Sequence, residues 1–137
     1  MIRLRAFGAT ARLAAAMVIV FAVGVGRSQD MRSVKAGVYT AEQADRGIEL
    51  FKTKCASCHA PNRFTDDLFY MSFAGKPMWD MFDVISDTMP EDDPGGMKPE
   101  EYADVIAYLL KLNGFPVGDT GLPTSKDALS QILFVKP

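Results

Sequence analysis

Histidine is nearly absent from this chain: one occurs in 137 residues, beside two cysteines and one tryptophan. Three Cys/His side chains are too few for a structural zinc site, which closes on four. Only two residues separate Cys55 from Cys58, so a disulfide between them would restrict the unfolded chain little. A thioredoxin-like dithiol would need a strand ahead of the pair and a βαβ setting, whereas the residues before Cys55 have helical spacing. Sustained strand alternation, internal repeats and low-complexity tracts are all missing. A basic excess is missing too: fifteen Lys/Arg face seventeen Asp/Glu. Phosphate binding needs a basic face, so no nucleic-acid partner is expected.

Long apolar runs are confined to the start. Arg3, Arg5 and Arg12 precede the apolar stretch Leu13 to Val25, and small residues follow at Gly24, Gly26 and Ser28. A basic start, a short apolar centre and a small-residue cleavage site make up a secretory signal. The apolar centre falls short of the ~20 residues that span a bilayer. Residues 1–28 are therefore expected to be a signal peptide, with an exported, periplasmic product; membrane contact follows only if the segment is retained. It carries four of the fifteen Lys/Arg and none of the seventeen Asp/Glu, which leaves the remainder at −6. An acidic chain suits redox protein partners with a basic docking patch, because complementary charge speeds encounter.

Residues 29–40 have no clear periodicity and are expected to form a flexible lead-in. Thr40 and Gln43 have capping-box spacing ahead of a helix from about Ala41 to Lys54. Ala44, Ile48 and Phe51 form its apolar face. Gly47 lies on the same side; a helical glycine costs about 1 kcal/mol, which close approach of another helix would offset. Residues 60–76 read as loop, with aromatic residues Phe64, Phe69, Tyr70 and Phe73 as pocket wall or core. Pro77 is expected in the first turn of a second helix, which packs through Met78, Phe82 and Ile85 and ends at Thr88-Met89-Pro90. A third helix opens at Pro99-Glu100-Glu101, where acids suit the positive end of the dipole. Tyr102, Val105, Ile106 and Leu109 form its stripe, and Asn113-Gly114 stops it. The 41–114 core precedes a 115–137 extension with a short helix from Ser125 to Ile132, pinned to the core by Leu129, Ile132 and Phe134. The fold class is all-α. Three main helices make a thin centre on their own, and a buried haem would fill it.

Cys55-Ala-Ser-Cys58-His59 is the attachment pattern for haem c. Two thiols at this spacing on a helix end reach two vinyl groups of one porphyrin. The following residue then sits beneath the iron, so His59 becomes the proximal iron ligand. One histidine rules out a second imidazole, and methionine is the natural distal ligand. Met78 and Met81 lie inside a helix and read as packing. Met89, at a helix end and stiffened by Pro90, is the preferred distal iron ligand; Met97 and Met71 are the alternatives. Trp79 is a candidate indole donor to a haem propionate, with Arg63 and Lys76 as further candidates.

These residues resemble a class I cytochrome c. The resemblance rests on Gly47-x-x-x-Phe51, Cys55-x-x-Cys58-His59, Met89-Pro90 and Asp104-Val-Ile-Ala-Tyr108-Leu-Leu, and covers about residues 41–114. It implies the cytochrome c fold, with first and last helices crossing near Gly47 and Tyr108, one haem in a crevice and Met89 on the iron. Gly75 to Pro90 and Asn113-Gly-Phe-Pro116 are similar to bacterial cytochromes c found beside quinoprotein (PQQ) dehydrogenases. Lys98 departs from the Ser/Thr cap usual in that subgroup, and no proline matches the one whose carbonyl orients the proximal imidazole. The expected function is transfer of single electrons between a periplasmic donor and a respiratory acceptor by a carrier rather than an enzyme. The alternatives are a cytochrome subunit that works only inside a dehydrogenase or oxidase complex, and a haem sensor or enzyme with labile iron.

Overall fold

The computed structural model describes residues 31–137; the expected signal segment lies outside them. Two helices, α1 (Ala41–Lys54) and α4 (Pro99–Leu112), cross as the central pair. The crossing depends on Gly47. A Cβ there would collide with the Asp104 carbonyl of α4, so only glycine lets the two backbones approach this closely. Beside the crossing, Arg46 Nε and Nη2 each donate to the buried Asp104 carboxylate at 2.7 Å. That hydrogen bond, with the Coulomb attraction of Asp104 and Glu42, raises the Arg46 guanidinium pKa further.

The Thr40 hydroxyl caps α1 by accepting from the Gln43 N–H at 3.2 Å. Gln43 does not reach back, as a full capping box would require. Its carboxamide is buried instead and pairs with the backbone of Leu122, donating to the carbonyl at 3.0 Å and accepting from the N–H at 2.7 Å. At the head of α4 the missing Ser/Thr cap is partly replaced by Glu101, whose carboxylate accepts from the Lys98 N–H at 2.7 Å. The stop of α4 follows expectation: Asn113 is the cap, and Gly114 takes the left-handed conformation with φ 74°.

Residues 60–76 are not a loop. A 3-10 turn (Pro61–Phe64) leads into α2 (Asp67–Phe73). The Asp66 carboxylate accepts from the Phe69 N–H at 2.8 Å, a side-chain cap on the first turn. Phe69 and Phe73, four apart, then share one face and touch at 5.3 Å between ring centroids. The next helix, α3 (Met78–Thr88), has Pro77 at its cap position rather than in its first turn. Met78, Met81 and Phe82 are buried, as their reading as packing residues requires.

The lead-in is not flexible over its described part. Val34, Val38 and Tyr39 are buried, the Tyr39 hydroxyl donates to the Phe115 carbonyl at 2.6 Å, and Gly118 N–H donates to the Tyr39 carbonyl at 2.7 Å. These partners lie far along the chain, which is why local periodicity hides them. The extension carries a short α5 (Lys126–Leu129) and then β2 (Ile132–Leu133), which pairs in parallel with β1 (Arg32–Ser33). The expected helix to Ile132 thus stops early, because Gln131 gives its carbonyl to Arg32 at 2.8 Å and the chain extends. Leu129, Ile132 and Phe134 are buried against α2, α3 and the lead-in in one continuous core. Each such side chain adds about 1.5–3 kcal/mol when fully buried. Lead-in and extension thereby supply the apolar mass that the main helices lack. Among the described residues no helix is long and apolar enough to cross a membrane.

Candidate functional site

A cavity of about 730 Å³ opens between the end of α1, the end of α3 and the flank of α4. That volume is in the range of cofactor sites, about 300–1,000 Å³. Its apolar lining comes from Phe51, Phe64, Phe69, Phe73, Ile85, Val105 and Leu109.

The Cys55–His59 segment lines one part of it. The backbone turns on past α1: Cys55 and Ala56 N–H donate to the Phe51 carbonyl, and Cys58 and His59 N–H donate to the Cys55 carbonyl, at 2.8–3.1 Å. These tight turns bring Cys55, Cys58 and His59 to the same cavity. No disulfide joins the two cysteines; Cys55 is half-buried and Cys58 exposed. Before any attachment, burial pushes the Cys55 thiol above its usual pKa. The His59 ring stands edge-on to Phe64, with centroids 5.7 Å apart.

Met89 enters from α3. It is the cap residue of that helix, its N–H bonded to the Ile85 carbonyl at 2.9 Å. Its carbonyl accepts from the Tyr102 hydroxyl of α4 at 2.7 Å. Both Met89 and Met97 line the cavity. Met71, the other alternative, is 79% exposed on α2 and lies outside the lining.

Trp79 lies outside the lining as well. It stacks on Phe82, centroids 5.7 Å apart, and the Lys126 ammonium of the extension sits 5.4 Å from its ring. Trp79 is thus partly buried between α3 and the extension rather than in the cavity wall. Arg63 pairs with Asp66 at 3.8 Å, and exposed Lys76 gives its carbonyl to the Phe134 N–H; neither joins the lining. The pocket-wall reading holds for Phe64, Phe69 and Phe73. Tyr70 instead donates its hydroxyl to buried Asn113 at 2.6 Å.

Sequence reasoning missed the α4 wall as a site feature, because Val105 and Leu109 read only as core. It also missed the rim. Glu91, Asp92 and Asp93 line the cavity, and Asp80, Asp83 and Asp87 are exposed on α3. No Lys or Arg occurs between residues 78 and 97.

The residues fit a largely apolar macrocycle with one metal. Two thiols, an imidazole and the thioethers of Met89 and Met97 share a cavity whose inner wall is hydrocarbon and aromatic rings and whose rim is acidic. Residues 42–109 match the family model described as Cytochrome C oxidase, cbb3-type, subunit III. No curated protein and no solved structure matches the chain.

Proposed function

The chain is a class I c-type cytochrome, an electron-transfer haem protein, and from that premise we propose that it serves as an exported carrier of one haem c. Cys55 and Cys58 would hold the haem through thioether bonds, with His59 and Met89 as the iron ligands. The observation that carries this reading is one cavity that receives Cys55, Cys58 and His59 from the end of α1 and Met89 from the end of α3. When bound, the haem supplies one-electron exchange at iron. The chain's own residues tune it. Ligation by the Met89 thioether together with the His59 imidazole would raise the potential. Phe51, Phe64, Phe69 and Leu109 keep water from the pocket, and exposed Cys58 marks the edge nearest solvent. With His59 and Met89 both holding the iron, external ligands would be disfavoured.

The acidic rim supports a redox protein partner with a basic docking patch. The resemblance of residues 75–90 and 113–116 supports a quinoprotein dehydrogenase as donor, with a respiratory component as acceptor. The basic and apolar pattern of residues 1–28 supports export to the periplasm. A second reading, a cytochrome subunit held within an oxidase or dehydrogenase complex, draws on the description of the matched family. Native protein that always purifies alone would count against it.

Replacing the distal ligand tests the assignment. Met89→Ala in the holoprotein is expected to lower the midpoint potential and let the ferrous form bind carbon monoxide. Unchanged potential and unchanged ligand binding would remove Met89 from the iron.

A further inference from the structure

Two methionines line the cavity, joined by the short turn-rich segment 90–96. A methionine side chain has three rotatable bonds and adapts to many positions. Something in the fold must therefore decide where each backbone sits. One hydroxyl touches both. The Tyr102 O–H donates to the Met89 carbonyl at 2.7 Å and accepts from the Met97 N–H at a longer 3.4 Å. Tyr102 is 3% exposed, and its ring meets Phe82 edge-on with centroids 6.2 Å apart. The hydroxyl is thus held by α4 and α3 together.

We propose that Tyr102 is a positioning residue for the distal ligand: its hydroxyl clamps the two ends of the 90–96 loop and keeps the Met89 thioether on the iron. The inference rests on Met89 as the distal ligand. Met89 is fixed on both sides, by Ile85 through its N–H and by Tyr102 through its carbonyl. Without the hydroxyl only the α3 side remains. The loop then opens more often, and an external ligand competes more easily for the iron in proportion to the open fraction.

The test is Tyr102→Phe in the ferric holoprotein, since phenylalanine retains the buried ring and deletes the hydroxyl alone. The readouts are imidazole affinity and the near-red thioether-to-iron charge-transfer band. A single neutral hydrogen bond of this kind corresponds to about a fivefold to tenfold change in an equilibrium. Imidazole is expected to bind about that much more tightly, and the band to fade on heating before the helices melt. Imidazole affinity within about twofold of wild type, with band and helices melting together as before, would overturn the proposal. Met89→Ala, run alongside, separates the two failures. Loss of the band in that variant leaves the ligand assignment standing whatever Tyr102→Phe does, whereas an intact band overturns the assignment and the clamp with it. Should Tyr102→Phe not yield folded holoprotein, amide hydrogen exchange at Met97 in the wild type decides. Protection supports the clamp, and exchange at the rate of an open chain overturns it.

Discussion

Gly47→Ala sets two effects of opposite sign against each other at the helix crossing. In an exposed helix the change would stabilise by about 1 kcal/mol, the difference in propensity between the two residues. Here the new Cβ would fall on the Asp104 carbonyl oxygen, with the carbonyl carbon at 2.6 Å and Tyr108 Cβ at 3.0 Å. The obstacle is the backbone of α4, which cannot rotate aside as a side chain would. Relief requires α1 and α4 to move apart. That motion loosens the buried contact of Phe51 with Val105 and Leu109 and stretches the Arg46–Asp104 hydrogen bonds. Overpacking of this kind costs up to about 3 kcal/mol, so the net loss is about 2 kcal/mol. For a domain of this size that lowers Tm by on the order of 10 °C. The assay is thermal unfolding of the holoprotein followed by far-UV circular dichroism. An unchanged or higher Tm would mean that propensity wins and that the two helices are not in backbone contact.

Two further outcomes follow from the packing of the extension and the lead-in. Gln43→Ala leaves the buried N–H and carbonyl of Leu122 without partners; urea unfolding should show a loss of about 2 kcal/mol, with faster amide exchange at Leu122. Burial raises the Tyr39 pKa, so above about pH 10 the unfolded chain releases this proton while the folded chain keeps it. Stability should therefore fall as pH rises through that range. Tyr39→Phe should flatten the alkaline decline, and an unaltered slope would refute the assignment.

The parts of the fold that were legible in the sequence are those with local contrast. α1 and α4 alternate apolar and polar faces, and Gly47 at the centre of one face predicted the close crossing that the structure contains. The cysteine pair with His59 was legible because its chemistry depends on spacing alone. α2 was hidden, since Leu68, Phe69, Tyr70, Met71 and Phe73 give its seven residues no polar face to contrast with an apolar one. The lead-in was misread because Val34, Val38 and Tyr39 are buried by residues beyond position 114, and nothing within their own segment reveals it. The surroundings of Trp79 were hidden for a similar reason. Its partner Lys126 lies in the extension, which fixes the direction that Trp79 faces.

Covalent attachment of haem at Cys55 and Cys58, with His59 on the iron, is what the proposed function stands on. The direct measurement is an alkaline pyridine haemochrome spectrum with intact mass, on protein exported in a host that matures haem c. A haem c spectrum, and a mass equal to the processed chain plus one haem that survives acid–acetone extraction, is the predicted result. Haem-free protein from a host that matures a control cytochrome would contradict it.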